Sequence, residues 1–247
     1  MNFNKFINNP KPYYSELKRV ISNYCFRILQ RGDKVNCEIC DWNGKLFFKN
    51  KCPKCNSLAR TRLIPFSLKH FNLKKENLNI LHIAPNANEY NYMKKNFNKI
   101  IKYDCLNIVK GKNINLICDL TKTNTIIKSG SYDLIIIWHV FEHIKEDDKA
   151  ITEIFRLLKN GGNLLVSVPI YPKGNKFTIE VKKLDYKDYE KVHGHYDHCR
   201  SCGLDYYERF ENSGFTTNFL YVNNIPTNKI ARYGLSDSHV VWNFYKK

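Results

Sequence analysis

The sequence predicts an α/β fold: an open, doubly wound, mostly parallel sheet preceded by a small metal-stapled module. Three apolar runs, NILHIA (79–84), YDLIIIW (132–138) and NLLVSVP (163–169), are rich in Ile, Leu and Val and lack polar alternation, which marks strands covered on both faces. Helical patterns separate these runs, so right-handed crossovers join the strands and a layered sheet is favoured over a barrel. Four cysteines in two CxxC pairs, Cys37/Cys40 and Cys52/Cys55, supply the appended module.

The chain has 247 residues and 43% hydrophobic content, enough for one full α/β domain and a satellite. Of the net charge of +17, most sits early, with sixteen basic and four acidic residues in positions 1–75. A basic end suits a phosphate-rich partner or an anionic surface. Abundant Lys and Asn beside scarce Arg give the plainer explanation, an A/T-biased coding sequence. No apolar run approaches the ~18 residues that span a bilayer, and MNFNKFINNPKP is no signal peptide. A soluble, cytoplasmic protein in a reducing compartment is expected.

Residues 13–31 carry apolar positions at helical spacing, closed by Gly32-Asp33, and define a leader over 1–33. Residues 34–76 hold a zinc ribbon and a connecting helix. Eleven residues separate the two CxxC pairs, and GKLFF (44–48) reads as a hairpin strand between them. Four thiolates from two tight turns suit tetrahedral structural Zn(II), whose binding folds a piece too small for its own core. The helix over 58–73 contains Pro65 as a kink or restart. The seam falls at 74–77, and the main domain runs 77–247.

In that domain a strand at 79–84 leads to a helix at 87–97. Strands follow at 100–105, 114–118 and 132–138. A helix over 146–159 stops at Gly161-Gly162 and precedes the strand at 163–169. An aromatic-rich insert over 170–203 comes next, then a helix at 204–213 and closing strands at 218–222 and 240–245.

Open α/β sheets bind ligands beyond the carboxyl ends of their strands. Asp104 closes the second strand, where a carboxylate accepts both hydroxyls of a ribose diol. Asp119, in CDLTKT, is placed to accept from an adenine amino group. A nucleoside-bearing cofactor is implied. In the insert, His193, His195, Asp197, His198 and Arg200 crowd into eight positions.

The ordered set LHIAPN, YDCL, CDLTKT, SYDLIIIWHVFEHI and FRLLKNGGNLLVSVP resembles class I S-adenosylmethionine-dependent methyltransferases, whose domain is a Rossmann-like doubly wound sheet. More narrowly, the ribbon ending CPKCNSLARTR, the LHIAP strand and the later DHCRSCG resemble a subgroup with an N-terminal zinc ribbon. The resemblance covers roughly residues 37–245. It implies S-adenosylmethionine as cofactor, bound around His82, Ala84, Pro85, Asn86, Asp104, Asp119, Leu120, Trp138 and His139. HIAPNAN replaces the usual glycine-rich loop. S-adenosylmethionine has no phosphates needing that loop, whereas NAD does, which argues against NAD.

The insert lies where such folds carry a substrate lid. An oxygen nucleophile must lose its proton, and a histidine oriented by a carboxylate suits that task. His198 is the first candidate base, His195 the second, with Asp197 as orienter or alternative base. Arg200 is a clamp for an anionic substrate group, and His143 lines the substrate site beside Glu142, with a divalent ion at that pair the minor alternative. HxHxxHCxxC (193–202) also offers a rival reading as a second zinc site. The sequence therefore points to O-methylation of a small polar or anionic acceptor, such as a sugar or nucleotide-sugar in glycan biosynthesis. The alternatives are an RNA or protein methyltransferase that grips its macromolecule with the basic ribbon, and a non-catalytic S-adenosylmethionine-binding module. Nothing in the sequence fixes the oligomeric state.

Overall fold

The computed structural model describes residues 18, 21–22, 24–73, 76–97, 99–181 and 183–247. Most of the leader and part of the 74–77 seam lie outside the described residues. By its contacts the chain divides into two compact units, 1–65 with 227–235 and 66–226 with 236–247.

In the first unit, β1 (Arg31–Cys37) pairs antiparallel with β2 (Trp42–Gly44). The hairpin strand is thus Trp42–Gly44 rather than 44–48. Phe47 instead packs as a ring, 5.9 Å from Trp42 and 4.0 Å beneath the Arg62 guanidinium. Helix α1 (Ala59–His70) runs through Pro65 without interruption. The sequence reading gives no helix to residues 227–233, yet α6 (Thr227–Tyr233) forms there. It joins the first unit through Arg62, which donates to the Tyr233 and Gly234 carbonyls at 3.1 and 2.6 Å, and through Arg232, which donates to the Asp33 carbonyl. Such long-range ties are invisible to local periodicity.

The second unit is a seven-stranded sheet. Its strands are β3 (Asn79–Ile83), β4 (Lys102–Asn107), β5 (Leu116–Ile117), β6 (Tyr132–Trp138), β7 (Leu158–Ser167), β8 (Thr216–Tyr221) and β9 (Val240–Tyr245). They lie in the order β5-β4-β3-β6-β7-β9-β8. All pairings are parallel except those of β9 with β7 and β8. The order reverses between β3 and β6, so the switch point is at the sheet centre. Ile135, Ile136 and Ile137 are wholly buried, as expected of a central strand covered on both faces.

Helix α2 (Ala87–Asn96) follows β3, and α3 (Asp147–Leu157) precedes β7. The α3 residues Ala150, Ile151, Ile154 and Leu157 recur at helical spacing and are fully buried. The α3 cap is Leu158, already extended and paired with Tyr132, so Gly161-Gly162 sit inside β7 rather than stopping the helix. After a short helix α4 (Tyr189–His193), the expected helix at 204–213 resolves into a 3-10 turn (Leu204–Tyr207) and α5 (Glu208–Glu211). There Phe210 stacks on Phe244 at 4.2 Å, and Tyr206 donates to the buried Asp147 carboxylate at 2.6 Å. No helix among the described residues is long and apolar enough to cross a membrane.

Candidate active site

Parallel strands β3, β4 and β6 deliver their last residues to one edge of the sheet. Ala84, just past β3, has φ 48°, and His139, just past β6, has φ 54°. Both occupy the left-handed region that side chains disfavour, and such strain concentrates at functional sites. The Ala84 amide donates to the Leu106 carbonyl at 2.7 Å, and the His139 amide to the Ser167 carbonyl at 2.9 Å. The turn through Pro85 reaches Asn86, whose side chain caps α2 by accepting from the Asn88 and Glu89 amides, while Glu89 accepts from the Asn86 amide.

Several residues assigned to the cofactor lie deeper than their sequence positions suggest. Asp104 does not close its strand: it sits in mid-β4 opposite Leu81, is 3% exposed, and β4 continues to Asn107. Its carboxylate accepts from Tyr132 Oη at 2.5 Å and Asn115 Nδ2 at 2.9 Å, and it pairs with Lys102 at 2.7 Å. A strand end placed two residues early caused the displacement. His82 is fully buried in mid-β3, its Nδ1 3.0 Å from Tyr103 Oη and its Nε2 3.9 Å from Glu89, and burial pushes its pKa down to about 3. Leu120 and Trp138 are each 5% exposed, and Leu120 belongs to the main core. Asp119 caps the 3-10 turn Leu120–Thr125. Its Oδ1 accepts from the Thr121 amide and hydroxyl, and the amide bond foremost holds its pKa below the carboxylate range.

The insert over 170–203 sits on the turn after β6. The Cys199 amide donates to the Glu142 carbonyl at 2.8 Å, and Ile170 and Ile179 bridge to Cys202 and Ser201. Arg200 is 2% exposed. It donates to the Phe141, Ile144 and Lys145 carbonyls and pairs with Glu180 at 2.5 Å and Asp147 at 3.4 Å. Its fork is thus committed inside the protein, and the expected role as a substrate clamp is corrected to that of a staple between the insert and the turn.

Beside Arg200, His143 meets residues of the insert. The His143 and His198 rings lie 4.9 Å apart, and His198 and His195 4.8 Å. Asp197 Oδ1 accepts from His195 Nδ1 and lies 3.4 Å from His143 Nδ1. Glu142, 1% exposed, places Oε1 3.6 Å from His139 Nδ1 and 3.7 Å from His143 Nε2. Burial, then the neighbouring His143 and His195, push His198 down to about 4. Burial raises the Asp197 carboxyl, but the His195 hydrogen bond and the nearby histidines outweigh it and leave the pKa low. His193 stands apart: it is buried, with Nδ1 2.9 Å from Ser201 Oγ. The metal-capable groupings here are Glu142/His143/His198 and His195/Asp197/His198, and neither includes Cys199, Cys202 or His193. Of the HxHxxHCxxC residues, His195 and His198 are thus brought together, with Asp197, while His193, Cys199 and Cys202 stand outside that grouping.

In the first unit, Cys37, Cys40, Cys52 and Cys55 converge. Their sulfurs lie 3.7 Å apart for Cys37–Cys55 and 3.6 Å for Cys40–Cys52. Tetrahedral zinc with bonds of about 2.3 Å spaces its sulfurs by about 3.8 Å, so the cluster is compatible with a zinc ribbon.

A family model described as a methyltransferase domain matches residues 64–217. The chain belongs to that family. It is accordingly an S-adenosylmethionine-dependent methyltransferase with a Rossmann-like, mostly parallel sheet. No curated protein matches it. Among solved structures, this methyltransferase is similar in fold to Burkholderia thailandensis 1,6-didemethyltoxoflavin-N1-methyltransferase, with TM-score 0.52, 15% identity, and 76% of this chain and 79% of that one covered. An S-adenosylmethionine-dependent methyltransferase from Mesorhizobium loti gives TM-score 0.54 at 12% identity, covering 75% and 98%. A SAM-dependent methyltransferase from Archaeoglobus fulgidus gives 0.53 at 11%, covering 75% and 94%.

Proposed function

We propose that this methyltransferase moves the methyl group of S-adenosylmethionine to an oxygen of a small polar acceptor, with a sugar or nucleotide-sugar in glycan biosynthesis as the working substrate class. The observation that carries it is the His195–Asp197 pair on the insert, next to His143 on the turn after β6. With Asp197 accepting from Nδ1, His195 keeps Nε2 as the base for an acceptor hydroxyl. His198, held near 4, is neutral at pH 7. Methyl transfer is an in-line displacement, so positioning of the hydroxyl matters most. The Burkholderia neighbour was crystallised with a small-molecule substrate and S-adenosylhomocysteine, in keeping with a small acceptor here.

S-adenosylmethionine supplies the electrophilic methyl when bound. The residues that would hold it are the backbone turn at Ala84 and Asn86, Asp119 with Leu120, and His139 beside Trp138. Asn107, not Asp104, ends β4 level with Ile117, and its amide is the polar group at the place expected for the ribose diol. The four cysteines would hold structural zinc.

A second reading rests on the first unit, where Arg27, Arg31 and Lys54 line a cavity of about 490 Å³ with Asp41 as the acidic member. That charge favours a phosphate-bearing macromolecule. Incubation with methyl-labelled S-adenosylmethionine and panels of sugars, nucleotide-sugars and RNA decides between the readings. Label in a sugar hydroxyl, lost in His195→Gln with S-adenosylhomocysteine affinity retained, supports the first; label in RNA alone sinks it.

A further inference from the structure

We propose that Lys145, Lys183 and Tyr189 form a binding site for a phosphoryl group, in a cleft whose wall includes Cys199, the chain neighbour of His198. The cleft measures about 280 Å³ and lies between Lys145, just past the turn after β6, and the insert residues Glu180, Lys183, Tyr189, Cys199 and Arg200. Ligand sites run from about 300 to 1,000 Å³, so this one suits a single charged group rather than a whole nucleotide.

The charge balance around the cleft selects an anion. Arg200 and Arg209 are matched by Asp147 and Glu180, with contacts of 2.5, 2.8, 3.1 and 3.4 Å among the four. The acids nearest the two lysines in the chain are taken elsewhere: Glu146 pairs with Lys149, and Asp185 with Lys187. Lys145 and Lys183 are left with no ion-pair partner among the described residues. The Arg200 fork, the two-pronged group that best matches a planar carboxylate, is already shared among three carbonyls, Glu180 and Asp147. What remains is two ammonium groups on flexible stems, the point-charge donors that hold phosphate.

A third donor stands in the same wall and is independent of the charges. The Tyr189 side chain is 9% exposed, yet its hydroxyl has no hydrogen-bond partner among the described residues and is not sealed inside the protein. Buried tyrosines ordinarily find a partner for Oη, and a ligand oxygen in the cleft supplies one. The ring is held between Tyr186 and His193, at 5.3 and 6.0 Å, so the hydroxyl is positioned in advance. Two ammonium groups and one hydroxyl match the three terminal oxygens of a phosphate monoester. The recognising chemistry is the same whether the phosphoryl group belongs to an acceptor or arrives as free phosphate. The inference concerns anion binding and does not depend on which acceptor is methylated.

The test titrates inorganic phosphate into the full-length protein, read by calorimetry and by phosphorus NMR. One saturable equivalent should weaken at least about tenfold in the double variant Lys145→Gln/Lys183→Gln and several-fold in Tyr189→Phe. It should be unchanged in Lys149→Gln/Lys187→Gln, which removes the same charge outside the cleft. Urea midpoints close to that of the native protein separate these results from misfolding. The source of the phosphoryl group is read in labelled methyl transfer. Inhibition by phosphate that disappears in Lys145→Gln/Lys183→Gln assigns the group to the acceptor, whereas transfer indifferent to bound phosphate assigns the free ion. The titration needs no methyl transfer, so its result stands if the sugar reading fails. No saturable phosphate binding, or binding that Lys145→Gln/Lys183→Gln weakens no more than Lys149→Gln/Lys187→Gln does, overturns the proposal.

Discussion

Ala84 and His139 are the first residues beyond adjacent parallel strands, β3 and β6, and both are left-handed, with φ 48° and 54°. At Ala84 the strained position stands where the wider superfamily carries glycines. Ala84→Gly should therefore raise stability by about 1 kcal/mol, because the left-handed conformation costs an L-residue about that much. Ala84→Val should lower it by more than that. Urea midpoints of the two variants check both signs.

Asn107 and Asp104 make opposite predictions. Asn107→Ala should weaken S-adenosylhomocysteine binding several-fold in calorimetry with little change in stability. Asp104→Asn should leave that affinity nearly unchanged but cost about 1–3 kcal/mol of stability, since it disturbs buried bonds to Tyr132 and Asn115. The reverse pattern would restore Asp104 as the ribose ligand.

Arg200→Lys should not be conservative. A lysine keeps the charge but lacks the planar fork that serves the Phe141, Ile144 and Lys145 carbonyls together with Glu180. A loss of about 3–5 kcal/mol is expected for breaking such a buried pairing, measured by chemical denaturation.

His82 gives a pH signature. Its folded pKa of about 3 lies below the ordinary histidine value, so between pH 6.5 and 3 the unfolded chain binds a proton that the folded protein does not. Its contribution is complete above pH 6.5 and declines as pH falls, by up to about 1.4 kcal/mol per pH unit. The urea midpoint of the native protein should drop more steeply from pH 7 to pH 5 than that of His82→Gln. Parallel slopes would refute the assignment.

Chelation should act on the ribbon. Removing zinc, or Cys52→Ser, should expose residues 31–57 to proteolysis, because four converging thiolates without an ion have no comparable staple. Zinc released to a colorimetric chelator should amount to one equivalent from the cysteine cluster. Unchanged proteolysis after its removal would mean the thiols merely pack.

Much of this was legible in the sequence because it is local. The unbroken run of Tyr132 to Trp138 marks a central strand, and paired CxxC turns mark a four-sulfur cluster. What escaped depends on partners far along the chain. Asp104 reads as a strand-end carboxylate until Tyr132 and Asn115 are found holding it in mid-strand. Arg200 reads as an anion clamp until its carbonyl partners, more than fifty residues away, are placed. Helix α6 has weak periodicity of its own and forms against β1 and Arg62. The left-handed Ala84 had a signal, the missing glycines of HIAPNAN, but only the backbone turns that substitution into a measurable strain.

The Arg200 staple also bears on how molecules come and go. Lifting the insert away from the Phe141–His143 turn would exchange three guanidinium–carbonyl hydrogen bonds for bonds to water, a net cost of about 4.5 kcal/mol at about 1.5 kcal/mol each. Fewer than about one molecule in a thousand would then be open at any instant. The insert behaves as masonry rather than a door: acceptor and product come and go with it in place.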